Sequence, residues 1–174
     1  MMRHRFHLPL LLVALPPLAL AVPVAGQGCP GTACRATNAT SVTVGTVMRL
    51  KLNGTTTVLA SPTAAAYDAG YQDHAGPTAI VKSNQAWKLQ ISAAEETWTP
   101  SGAGARASKP AADLTWSTAS GGGFTSLTTA AGDIATGNPT RGTSLALFYR
   151  TRFDRVRDTP GIYSLAVRLT LVGD

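Results

Sequence analysis

The chain has 174 residues, a formal net charge of +6 and only 14% charged residues. A length of this order supports one self-sufficient core. A charged fraction well under the roughly 25% usual in soluble domains argues against a coiled coil, an acidic disordered tail and a helix-rich cytosolic enzyme. Two cysteines exclude a disulfide-dense miniature scaffold.

The first residues carry Arg3, His4, Arg5 and His7, and an apolar run from Leu8 to about Val24 follows. A basic start, a short greasy segment and a small-residue exit predict a secretory signal peptide over residues 1–26, cleaved after Ala21, Ala25 or Gly26. Pro16 and Pro17 interrupt the run and would kink a spanning helix. Loss of Arg3 and Arg5 with the leader lowers the net charge to +4. No later segment reaches transmembrane length, so no membrane span is expected in the mature protein. Residues 27–174 are then expected to form a single domain. Cys29 and Cys34 flank Pro30-Gly31 near its start, where export, an even count and a tight turn favour one local disulfide.

Alternation governs the rest. Val42, Val44, Thr46, Met48, Leu50 and Leu52 share one parity and predict a long strand. Asn53-Gly54 supplies a hairpin turn into a second strand, Thr55 to Leu59. Residues 61–76 read as a long loop, Thr78 to Lys82 as a strand and Ser83-Asn84 as a turn. Trp87, Leu89 and Ile91 then point inward, opposite Lys88, Gln90 and Ser92. A Gly/Ala/Pro-rich loop covers about residues 100–111. Leu114, Trp116 and Thr118 alternate after it, and Gly121-Gly122-Gly123 turns into Phe124 to Leu127. Leu145, Leu147 and Tyr149 begin a strong strand. Tyr163, Leu165, Val167, Leu169 and Leu171 share one face of a terminal strand, expected in a central or near-central place. No helical period occurs beyond the leader. The predicted fold is all-β: an antiparallel, immunoglobulin-like β-sandwich of about 8–10 strands.

Catalytic chemistry finds little to work with. After the leader His74 is the sole imidazole, and it lies in a polar stretch with no nucleophile elbow elsewhere. The acids fall at turns or on polar faces, where capping or solvation explains them. The reading is of a protein without catalytic activity and without cofactors. Asp68 and Asp73 could lend oxygens to calcium, although the EF-hand pattern is absent. Arg150, Arg152, Arg155 and Arg157 are the densest charge cluster, suited to clamping an anionic polymer or to guarding an exposed edge. Strand geometry puts Arg150 and Arg152 on one face and Arg155 and Arg157 on the other. Trp87 and Trp116 are in phase with aliphatic neighbours and read as core. Trp98, before a loop, is the candidate sugar-stacking platform. A modest charge on an exported chain disfavours nucleic acid as a partner.

Trp87-Lys88-Leu89 and the ending Tyr163 to Leu171 resemble the two signatures of WxL domains, bacterial cell-surface β domains held on the envelope through peptidoglycan. The first signature, Trp-x-Leu, is matched by Trp87 and Leu89. The second, Tyr-x-x-x-Leu-Thr-Trp-x-Leu, is matched by Tyr163 and Leu171, with Val167 at its first Leu and Arg168 and Leu169 in place of Thr and Trp. The ending is also similar to the last strand of small pilin-like and spore-coat-like secreted domains, immunoglobulin-like sandwiches in which an N-terminal strand can complete a neighbour's sheet. Both resemblances imply a secreted protein at the cell surface or outside the cell, with the periplasm the other compartment open to an exported chain. They imply a structural or adhesive role, with envelope polysaccharide, peptidoglycan, other surface proteins or further copies as partners. A carbohydrate-binding module is the alternative. The signature residues are then core residues and not a binding site.

Overall fold

The run Trp87 to Ala93 alternates apolar and polar side chains, and every second residue is buried. It is the middle strand of a sheet, as the pattern of a half-buried strand requires. The computed structural model describes residue 31 and residues 33–174. The expected leader and Cys29 lie outside the described residues. The chain divides into a unit of residues 1–42 and a unit of residues 43–174, and every element named below belongs to the second.

Among the described residues ten strands follow in order: β1 (Met48–Leu52), β2 (Tyr71–Ser83), β3 (Trp87–Ala93), β4 (Thr99–Ser101), β5 (Leu114–Ser117), β6 (Thr125–Ser126), β7 (Gly132–Gly137), β8 (Thr140–Arg152), β9 (Ile162–Ser164) and β10 (Val167–Gly173). They pair as a five-stranded sheet, β1-β2-β8-β5-β6, a three-stranded sheet, β10-β3-β7, and a small ladder, β4-β9. Every pairing is antiparallel. The fold is therefore the all-β antiparallel sandwich that the alternation predicts.

Two apolar clusters join the larger sheets. One unites Ile91 and Ala93 of β3 with Leu114 of β5 and Leu147 and Tyr149 of β8, with Trp98 and Leu127 packed in. The other unites Ala79 and Val81 of β2 with Trp87 and Leu89. A bulge between Ala75 and Thr78 lets β2 change phase against β8. Gln72 and His74 on one side of it, and Ala79 and Val81 on the other, then all face the sandwich interior. Gly76 sits in that bulge, where a Cβ would lie 2.9 Å from the Leu147 carbonyl oxygen.

Several expected boundaries move. A helix, α1 (Ala64–Ala69), occupies part of the expected loop at 61–76. Thr63 caps it by accepting a hydrogen bond from the Ala66 N–H at 3.2 Å, and Gly70 ends it at φ 78°. A 3-10 turn also forms at Ala111–Asp113. The expected strand 42–52 is a strand only from Met48, where the ladder with β2 starts at Ser83. Before it Asn84 replaces the ladder, accepting the Val47 N–H on Oδ1 and donating its backbone N–H to the Val47 carbonyl and its side-chain amide to the Gly45 carbonyl. Val42, Val44 and Val47 are left 86%, 78% and 67% exposed. The second hairpin strand, 55–59, is absent. The hairpin turn favoured by Asn-Gly needs positive φ at both residues, and neither Asn53 nor Gly54 adopts it. Asn53 instead bonds Thr78 twice, donating its N–H to the carbonyl and accepting the Thr78 N–H on Oδ1. The terminal strand breaks after Ser164, and β10 is the edge of its sheet, not its centre. The strand expected at 124–127 shrinks to Thr125–Ser126.

Candidate functional site

The five-stranded sheet ends at β1 and the three-stranded sheet at β10, and these two edges are neighbours across the core. Between them lies a groove of about 520 Å³. Leu52 and Pro77 form one wall and Leu165, Val167 and Leu169 the other, over a floor of Trp98, Leu114 and Tyr149. Residues 54–59 pass across the opening. None of the groove's lining side chains is charged. Burial pushes the Tyr149 hydroxyl up to about 12, as a phenol walled by hydrocarbon requires. One edge of β10 bonds to β3, and the other has no strand partner among the described residues.

The arginine cluster is split by the fold. Arg150 faces out from β8 and grips Asp73 of β2 with two hydrogen bonds, 2.6 and 2.9 Å. Its guanidinium lies between the rings of Tyr71 and Phe124, 3.9 and 4.3 Å from their centroids. That grip holds the Asp73 carboxyl below its ordinary value, with burial opposing it. Arg155 pairs with Asp68 at 2.6 Å and Arg157 with Asp154 at 2.7 Å, both on the turn after β8. Arg152 is exposed on the face of Arg150. The four residues therefore do not converge into one anion clamp. Asp68 and Asp73 go to different arginines, Arg155 and Arg150.

The tryptophans are placed by packing. Trp87 is 2% and Trp98 5% exposed. The Trp98 indole N–H donates to the Pro110 carbonyl at 3.1 Å, and that of Trp87 to the Asn138 carbonyl at 2.9 Å. Trp98 is thus a core residue lining the groove, which corrects its reading as a surface platform. Trp116 is half-buried against the same core. Trp87 and Leu89 lie buried in β3 opposite Gly173 and Leu171 of β10. The Tyr163 hydroxyl accepts the Arg106 N–H and donates to the Thr159 carbonyl. Cys34 is not a free thiol, and its expected partner Cys29 lies outside the described residues.

Sequence reading misses a buried ionic knot. Lys109 Nζ, 3% exposed, donates to Asp158 at 2.8 Å, to Asp113 at 3.1 Å and to the Arg152 carbonyl at 2.9 Å. Arg106 takes the other Asp158 oxygen at 2.8 Å. Burial pushes the Asp158 carboxyl up, but hydrogen bonds from Lys109, the Asp154 N–H and Arg106 outweigh it, so the group is held ionised. Asp113 is four residues from Lys109, but Asp158 lies 49 residues from Lys109 and 52 from Arg106, so the long-range half of the knot carries no local signature. His74 also differs from its expected loop setting. It sits on β2, half-buried, with Nδ1 accepting the Ala60 N–H at 3.4 Å. Desolvation lowers its pKa, partly offset by Asp73.

Scans of protein-family models and of curated proteins find no match to the chain.

Proposed function

We propose that the chain is an exported, non-catalytic structural subunit, an immunoglobulin-like sandwich whose copies join by strand exchange. Residues 42–47 of one copy would lie along the free edge of β10 in the next and fill its groove. The observation that carries this reading is the pairing of exposed Val42, Val44 and Val47 with an unpartnered edge beside an apolar groove. Those valines lie in a segment outside any strand, whose Gly45, Thr46 and Val47 bond Asn84 and Gln85 of their own chain and would release them on exchange. A strand added to an open edge gains main-chain hydrogen bonds from the edge and specificity from alternate side chains in pockets.

Charge and length agree with that occupant. Residues 36–48 are uncharged, as are the residues lining the groove, so docking desolvates no unpaired ion. The stretch from Val42 to Val47 is six residues long, against seven in β10. Val58 and Ile162, 94% and 72% exposed, add an apolar rim. Export rests on the basic, apolar leader, and we include a Cys29–Cys34 disulfide at the root of the arm. The absence of catalysis rests on the ionisable groups: the acids of the arginine cluster are neutralised by arginine, and His74 Nδ1 is engaged by backbone.

Light scattering coupled to size-exclusion chromatography tests the reading. The protein should form oligomers that grow with concentration, and Val42→Asp with Val44→Asp should be monomeric. Since both valines are exposed, stability should move by no more than about 0.5 kcal/mol. A protein monomeric at every concentration would sink strand exchange.

A further inference from the structure

The groove is roofed by its own chain. Residues 54–59 line it as an irregular segment with no ladder partner among the described residues. The segment is tied firmly at its start, where Asn53 makes two bonds to Thr78 of 3.1 and 2.9 Å. It is tied weakly at its end, where Ala60 donates to His74 Nδ1 at a long 3.4 Å. Between the anchors Leu59 packs on the core, while Val58 beside it is almost fully exposed. Gly54 follows the firm anchor, and a Cβ there would meet nothing closer than 3.6 Å.

We infer that residues 54–60 are a self-capping strap, hinged at Asn53-Gly54 and latched by Leu59 and His74, that must swing out before a second copy's 42–47 segment can dock. The inference deepens the strand-exchange reading and rests on it. The strap and the arm need the same space: Leu59 reaches the core through the opening that an incoming valine would use. The strap is poorly made for the place it holds. Its backbone bonds neither β1 nor β10, so a true strand would gain a whole ladder by replacing it. An exported subunit capped in this way keeps its groove from random apolar contacts until a neighbour's arm arrives, which is a standing need for any unpaired sheet edge.

The gate lowers apparent affinity by the fraction of molecules with the strap open. A fluorescent peptide of residues 39–48, titrated into the full chain at concentrations below self-association and followed by anisotropy, reads that fraction. Leu59→Ser removes the core contact, and His74→Phe removes the latch acceptor while keeping a planar ring. Each variant should bind the peptide about tenfold more tightly than the parent. Equal binding in all three proteins would overturn the strap as a gate and leave strand exchange standing. No binding by any of them would overturn the strand-exchange reading itself. Circular dichroism melts confirm that each variant is folded, and agreement of the two variants separates gating from a local defect at either residue.

Discussion

Trp87 is the residue around which β3 is set, and its ring lies flat across β7. The place it covers is Gly137, its cross-strand neighbour. A Cβ on Gly137 would fall 2.5 Å from the ring's Cζ2 and 2.8 Å from Cε2. Gly137 has ordinary backbone angles, so the glycine is required by the ring and not by its own conformation. Gly137→Ala should therefore destabilise the protein by about 1–3 kcal/mol, the range for overpacking a filled core, as read from chemical denaturation. Trp87→Leu in the same background should recover part of the loss. The burial of Trp87 was legible from its phase with Leu89 and Ile91. The need for a glycine opposite it was not, because the partner strand lies fifty positions away and its own alternation is written in small residues.

At the scale of elements, the alternation of residues 42–52 reads as one strand, yet only Met48–Leu52 forms a ladder, while Gly45 to Val47 are held by Asn84 and Gln85 at the turn after β2. Alternation reports that a segment suits a sheet edge and says nothing of whether its own chain provides one. The same limit applies to the terminal run, whose five residues of one parity suggest a central strand, although Tyr163 belongs to β9 and β10, with Val167, Leu169 and Leu171, lies at an edge. The loops around 102–113 and 153–160 show the opposite case. They contain no regular pattern and yet are pinned to one another by Lys109, Arg106, Asp113 and Asp158. Lys109→Ala leaves buried Asp158 with Arg106 as its one cation and the Asp154 N–H as its other donor, and the Arg152 carbonyl without the Lys109 donor. Breaking a buried pair from one side costs about 3–5 kcal/mol. The variant should lose that much in urea unfolding, with the protease sensitivity of these two loops rising first. A loss under about 1 kcal/mol would show the knot to be solvated in solution.

For the whole molecule, the shifted groups combine into a pH profile of stability. His74 has a folded pKa below its ordinary 6.5, because burial favours the neutral ring. Between those values the unfolded chain binds the extra proton, so stability is complete above about 6.5 and falls as pH drops. Asp73 and Asp158 are held below the ordinary 3.8 by arginine and lysine partners. Their contribution is present above about 3.8 and is lost as pH falls through their folded values, which adds a steeper acid step. Tyr149 acts in the other direction. Its phenol is raised from 10.0 to about 12, so the unfolded chain loses its proton first. The stability that Tyr149 lends is whole below pH 10.0 and disappears as pH rises toward 12. Thermal melts from pH 3 to pH 11 should give a plateau between about pH 6.5 and pH 10, a shallow decline below it, a steep one below about pH 4 and an alkaline limb. Tyr149→Phe should flatten the alkaline limb, and His74→Phe should extend the plateau toward pH 5 while leaving the steep acid step in place. Since His74 also holds the strap, a shallow decline that survives His74→Phe would mean the imidazole is solvated and the latch open in most molecules.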